Sequence, residues 1–174
     1  LLNIRYNKAN KIHTHLTNTE KLKLVELSKL AGGGYYLEIG AYQGASANFI
    51  CSGIRKINRF CKLICIDTWQ NQTMPEGELD TYDKFIKNTA KYRDLIIPVR
   101  GRSINSVAEI KKICDKLSFI FIDGDHSYEA CRADWLCYAQ FLDCGAIAVF
   151  HDTGWAEGVM RVINEYITEV SEKI

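Results

Sequence analysis

Short runs of apolar residues punctuate the chain at Tyr35–Ile39, Lys62–Ile66, Ile96–Val99, Ser118–Ile122 and Ala146–Phe150. Each is bounded by polar or glycine-containing turns, the signature of a strand hidden on both faces. Between them apolar positions recur every three to four residues, and that spacing predicts helices over 19–31, 44–56, 79–93, 104–116, 127–142 and 157–172. The first helix would place Leu22, Val25, Leu27 and Leu30 near one face, with Thr19 as its N-cap and Gly32-Gly33-Gly34 as its end. The helix over 127–142 is expected to bury Trp135, Leu136 and Phe141, with Gly145 breaking it before the last strand. Pro98 marks the third strand as an edge strand. The polar stretch 71–83, with Pro75 and Gly77, reads as a mobile lid.

Strands that alternate with helices in this way predict a parallel sheet, and right-handed crossovers cover both its faces. The expected fold is a doubly wound, Rossmann-like α/β domain. A length of 174 residues fits one domain over 1–174: a helical segment at about 1–33, a core at about 35–152 and a last helix at 157–172. The 22 basic and 21 acidic residues nearly cancel, so no patch for nucleic acid or an anionic membrane is expected. No apolar run approaches the roughly 20 residues needed to span a bilayer. The chain begins with Leu1 rather than Met and shows no apolar core of a signal peptide, as expected for a start inside a longer chain. Seven cysteines without a CxxC pair read as buried, reduced thiols of a cytoplasmic protein.

In such sheets ligands bind beyond the carboxyl ends of the strands, so the residues that end strands carry the information. They are Glu38 and Gly40, Asp67, Gly101-Arg102-Ser103, Asp123 to His126, and His151-Asp152. Gly40 and Gly44 allow a sharp turn before a helix N-terminus. Tyr42 occupies the third position of what would be a dinucleotide GxGxxG, and no P-loop is present. Glu38 would repel a pyrophosphate but suits a cationic group such as an amine. Asp67 reads either as a loop cap or as an acceptor for two ribose hydroxyls, and the glycine turn beside it favours the ribose. Asp125 and Ser127 read as caps of the following helix, whereas Asp123 and His126 read as functional. Trp69, Tyr128 and Trp155 stand near the expected mouth, though Tyr128 and Trp135 are more simply core residues of their helix. His13 and His15 read as solvent-exposed.

The segments LEIGAYQGAS, CIDTW, VRGRS, FIDGDHSYEACRADW and GAIAVFHD together resemble the class I S-adenosylmethionine-dependent methyltransferases over about residues 35–165. The nearest resemblance is to the branch of macrocin- and mycinamicin-type sugar O-methyltransferases and cephalosporin-hydroxylase-like proteins, and a more distant one is to catechol O-methyltransferase. The resemblance implies that Glu38, Gly40 and Ser46 hold the methionine part of S-adenosyl-L-methionine, with Tyr42 and Gly44 in the same turn. It implies that Asp67 binds the ribose, that Thr68 and Trp69 lie beside the adenine, and that Arg102 and Ser103 meet its edge. Asp123 and Asp152 match the carboxylates that hold a divalent cation such as Mg²⁺, Asp123 also bordering the cofactor, and His126 matches the general base. His151 would join the cation, orient the substrate or pack, and as a ligand it would favour a borderline metal. Adjacent strand ends about 4.8 Å apart let two carboxylates share one cation. The implied reaction is O-methylation of a hydroxylated small molecule, a sugar or natural-product glycoside. Relatives continue into an antiparallel hairpin after the last helix, which is missing before Ile174. A homo-oligomer, with a partner chain supplying that edge, stays open. So does a non-catalytic module that only binds the cofactor. A nicotinamide oxidoreductase is disfavoured by Glu38 and the absent GxGxxG.

Overall fold

The computed structural model describes residues 6–57, 59–71 and 77–167. Positions 72–76 of the expected lid, including Pro75, and positions 168–172 of the expected last helix lie outside the described residues. In chain order the elements are α1 (Asn7–Asn10), α2 (Asn18–Leu30), β1 (Gly34–Ile39), α3 (Ala45–Ile54) and β2 (Cys61–Asp67). Then come α4 (Tyr82–Thr89) with a 3-10 turn (Ala90–Tyr92), β3 (Ile96–Arg100), α5 (Ser103–Ile113) and β4 (Leu117–Ile122). Last are α6 (Tyr128–Tyr138) with a 3-10 turn (Ala139–Phe141), β5 (Leu142–Phe150) and α7 (Glu157–Tyr166).

The strands form one parallel sheet in the order β3-β2-β1-β4-β5, the doubly wound arrangement, with Pro98 on an edge strand. Alternate side chains feed two separate cores. Tyr36, Leu63, Cys65, Phe119 and Phe121 pack with α2 and α3 on one face, and Leu37, Ile64, Ile66, Ile120 and Ile122 pack with α5, α6 and α7 on the other. The registers Ile39↔Ile66, Ile39↔Ile122 and Ile122↔Phe150 leave the strand ends flush. Backbone bonds then run one residue further, from Gly40 to Ile66, Asp123 to Ile39 and His151 to Ile122. Every strand-end residue singled out above therefore meets at one edge, around the β1/β4 reversal of winding. All seven cysteines are free, and no helix among the described residues is long and apolar enough to cross a membrane.

Three local expectations are corrected. Helix α2 is capped by Thr17, not Thr19: Thr17 and Glu20 form a reciprocal capping box, which starts the helix earlier and rotates its inner face. That face is Lys21, Leu24, Val25 and Ser28, while Leu22 and Leu30 are exposed. Helix α6 ends at Tyr138, leaving Leu136 exposed and Trp135 half-buried against Phe150. Gly145, at φ +79°, sits inside β5, where the register with β4 jumps from Leu117↔Leu142 to Phe119↔Ile147.

Helices α2 and α3 meet over a small-residue contact, where Ser28 Oγ donates to the carbonyl of Ile50. A Cβ on Gly53 would lie 2.0 Å from Ser28 Oγ and 2.5 Å from the carbonyl oxygen of Val25. Gly53→Ala is therefore expected to cost about 2–3 kcal/mol and to lower Tm by roughly 5–10 °C. Thermal denaturation checks this, with Gly154→Ala, whose Cβ would meet nothing within 4 Å, as the unchanged control.

Candidate active site

The turn between β1 and α3 forms the floor of the site. A Cβ on Gly40 (φ +88°) would lie 2.0 Å from the carbonyl oxygen of Asp123, so only glycine lets the end of β4 close over the turn. Tyr42 also has positive φ, and two bonds hold it there. Its N–H donates to Asp67 Oδ2 at 2.7 Å, and its carbonyl accepts from Trp69 Nε1 at 2.8 Å. The other oxygen of Asp67 accepts from the N–H of Trp69 at 2.6 Å. Burial pushes the Asp67 carboxyl above its ordinary pKa, although the surrounding backbone N–H groups pull the other way. Gly44 then caps α3, and Ala45 and Ser46 in its first turn line a cavity of about 600 Å³.

Gly40, Tyr42, Ser46, Asp67, Thr68, Arg102, Ser103, Asp123, His126, His151 and Asp152 all line this one cavity. Trp69, Glu38 and Gly44 do not. The Trp69 indole is fully buried beneath the turn, 4.9 Å from the Tyr82 ring and 4.8 Å from Phe85, so it supports Tyr42 rather than facing a ligand. Gly44 packs instead toward Thr89 and Phe85. Glu38 is fully buried behind the turn; Cys65 Sγ donates to its Oε2 at 3.2 Å, and its Oε1 has no partner. Burial raises the Glu38 pKa to about 7, against the opposing influence of Ser46 and Cys65.

At the far wall the ends of β4 and β5 build a chain of alternating acids and imidazoles. His151 Nδ1 lies 3.0 Å from Asp123 Oδ1 and 2.8 Å from Asp152 Oδ2, and its N–H is aligned with neither well enough for a hydrogen bond. Asp152 Oδ2 is also 2.6 Å from His126 Nε2, and Asp152 Oδ1 accepts from Trp155 Nε1 at 2.7 Å. Asp152 reaches these partners from a left-handed conformation, φ +57°. Burial opposes a charge on His151, but Asp123 and Asp152 outweigh it and raise its pKa to about 9. Asp123, His126 and Asp152 each offer a ligand atom, all within 4.8 Å of one another. The structure thus groups His126, rather than His151, with the two acids as a donor set, while His151 lies between the acids as an internal cation. Two carboxylates and an imidazole suit a divalent cation of the Mg²⁺-to-Zn²⁺ range.

His13 and His15 are exposed, as expected, and with Thr14 they also border the cavity. The His13 ring lies 5.7 Å from His15 and 6.0 Å from Tyr42. Their segment has no periodic pattern that would have placed it. Asp134 also lines the cavity, outside the strand ends to which the sequence points. It is buried on the inner face of α6 and accepts from the Ser103 hydroxyl, and an acid on an otherwise apolar helical face was the available signal. Asp125 does take the capping part expected of it, accepting from the N–H of Ser127. Tyr128 does not line the cavity; its hydroxyl donates to Glu165.

Residues 37–153 match a family model described as a methyltransferase domain. The chain belongs to that methyltransferase family. Among curated proteins it is 26% identical over 148 residues to the uncharacterised protein R132 of Acanthamoeba polyphaga mimivirus, matching 78% of this chain and 60% of the relative. The chain thus spans less than two thirds of that relative's length. Among solved structures the O-methyltransferase NovP superposes with a TM-score of 0.77 at 12% identity, over 94% of this chain and 77% of NovP. An O-methyltransferase from Bacillus cereus, in complex with SAH, gives 0.68 at 18% identity, over 94% of this chain and 74% of that one. At these identities the likeness shows the fold, and the methyltransferase fold is the one described above.

Proposed function

We propose that this methyltransferase domain binds S-adenosyl-L-methionine along the cavity and methylates a hydroxyl of a small molecule, a sugar or natural-product glycoside. The observation that carries the reading is the convergence on one 600 Å³ cavity of the Asp67 turn at one end and the Asp123–His151–Asp152–His126 chain at the other. When bound, the cofactor supplies a methyl group on a sulfonium, and its C–S bond breaks as the acceptor oxygen bonds to carbon.

The chain's own residues divide the remaining tasks. Asp67 accepts from the N–H groups of Tyr42 and Trp69, with those of Ala41 and Thr68 also acting on it, and it lines the cavity where a ribose would present its hydroxyls. The orphaned Oε1 of Glu38 supplies negative potential behind Ser46 for the ammonium of the methionine part. Arg102 and Ser103 flank the adenine edge. His126 takes the acceptor's proton on its other ring nitrogen, while Asp152 Oδ2, 2.6 Å from Nε2, accepts from that N–H and fixes the ring. Asp123 and Asp152 would hold a divalent cation, which lowers the pKa of a chelated hydroxyl. The free cysteines, most of them buried, support a cytoplasmic setting.

S-adenosylhomocysteine at 100 times its Kd is expected to stabilise the protein by about 2.7 kcal/mol by mass action, raising Tm by roughly 5–10 °C. A thermal-shift series with S-adenosylhomocysteine, NADH and divalent cations checks this. A shift with NADH and none with the adenosyl compound would overturn the reading. Binding without methyl transfer to any acceptor of a hydroxyl panel would favour the non-catalytic module.

A further inference from the structure

We infer that Trp155 is a positioning residue of the proposed transfer: its indole N–H fixes the carboxylate of Asp152 and, through it, the ring of His126. The inference rests on the reading above and deepens it with a side chain that stands outside both the cavity wall and the Asp123–His126–Asp152 group.

Trp155 is tied to Asp152 twice. The backbone N–H groups of Trp155 and Ala156 both donate to the carbonyl of Asp152, at 3.2 and 2.9 Å, which closes a turn just beyond β5. That turn brings the indole back over the residue that opens it, and Nε1 donates to Asp152 Oδ1 at 2.7 Å. Asp152 stands at φ +57°, a conformation that L residues seldom adopt and that persists only where neighbouring bonds hold it. The two turn bonds hold its backbone, and the indole holds its side chain.

The other oxygen of Asp152 serves the chemistry. Oδ2 lies 2.6 Å from His126 Nε2 and 2.8 Å from His151 Nδ1. Partners on one oxygen alone leave a carboxylate free to pivot about that oxygen, and a donor on the second oxygen fixes its plane. The indole supplies that donor without competing for Oδ2. Its ring also meets the imidazole of His126 edge-on, with centroids 5.0 Å apart and planes at 70°. One side chain thus touches both members of the pair that accepts the proton.

A part in the core does not account for this placement. Trp155 is 67% exposed, whereas Ala156, Val159 and Val162 carry the packing of the segment. A single exposed apolar side chain has no meaning by itself; the two directed contacts give this one its meaning. The other tryptophans are spent differently. Trp69 is fully buried and donates to the carbonyl of Tyr42, and Trp135 packs against Phe150.

The test compares the parent, Trp155→Phe, Asp152→Ala and the double variant. Trp155→Phe keeps a ring beside His126 and removes the N–H. It is expected to lower kcat by about 10- to 100-fold, the range for a hydrogen bond to a charged group, with KM and the S-adenosylhomocysteine Kd within about threefold. Because little buried surface is lost, Tm should stay within about 2 °C. In the Asp152→Ala background the same substitution is expected to change kcat by less than about threefold, since the two residues act as one unit. Nuclear magnetic resonance gives a readout free of turnover. The Trp155 indole N–H signal, assigned by its loss in Trp155→Phe, should exchange with water about tenfold more slowly than an open indole and reach the open rate in Asp152→Ala. Losses that add in the double variant, an unchanged kcat in Trp155→Phe, or an N–H that exchanges freely in the parent would each overturn the inference alone. A parent that transfers a methyl group to no acceptor of the hydroxyl panel would overturn the transfer reading and this inference with it.

Discussion

Asp152→Ala is expected to lower turnover by about 10³-fold or more while leaving S-adenosylhomocysteine affinity within a few-fold. Three groups converge on this carboxylate: His126 Nε2, His151 Nδ1 and Trp155 Nε1. Its removal frees the imidazole that accepts the acceptor's proton and takes away one of the two acids, Asp123 and Asp152, that would hold the cation. It also leaves the positive charge of His151 facing Asp123 and, at 3.6 Å from Nε2, Glu20. None of these groups belongs to the Asp67 turn, which is why cofactor affinity should survive. Asp123→Ala is expected to behave alike. The measurement is kcat, on the first acceptor found in a panel of catechols and glycosides, beside a calorimetric Kd. An equal fall in affinity and turnover would reassign Asp152 to holding the cofactor or the fold. Turnover unchanged by EDTA would remove the cation from the proposal while leaving His126 as base.

The parts of this site that were legible in the sequence are those fixed by backbone direction. Once β1, β2, β4 and β5 are parallel, Gly40, Asp67, Asp123 and Asp152 must emerge at one edge, and each follows an apolar run that cannot be mistaken for a helix. What periodicity could not supply is the depth of a side chain. Trp69 and Thr68 are neighbours in sequence, yet positive φ at Trp69 turns the indole into the core and leaves Thr68 on the cavity. Glu38 alternates with Leu37 and Ile39, which sends it toward α3 and out of reach of the cavity surface. His13 and His15 belong to an irregular segment placed only by the docking of α2, whose true cap at Thr17 shifts the inner face. The sequence allows His151 three roles, and its place between Asp123 and Asp152 depends on the positive φ of Asp152, which no pattern announces.

Glu38→Gln is expected to stabilise the ligand-free protein above neutral pH and to weaken cofactor binding, two effects of one buried charge. The ordinary pKa of this group is 4.5, and burial raises it to about 7 in the fold, so the native state holds its proton more tightly than the unfolded chain does. The stabilisation from that proton is fully present below about 4.5 and is lost as pH rises through about 7. A shift of this size corresponds to about 3 kcal/mol, so Glu38→Gln should exceed the parent by about that much at pH 8.5 and lie near it at pH 5. Thermal melts at the two pH values check this, and a difference independent of pH would mean that Glu38 does not titrate in this range. The lone pairs on Oε1 that burial leaves without a donor are what an ammonium needs nearby. S-adenosylhomocysteine should therefore bind the charged form of Glu38, releasing its proton below pH 7, and its affinity should rise with pH in the parent but not in Glu38→Gln. Calorimetry in two buffers of different ionisation heat reads that proton directly. Its absence would uncouple Glu38 from the ligand, and the instability it causes above neutral pH would then have no functional counterpart in this cavity.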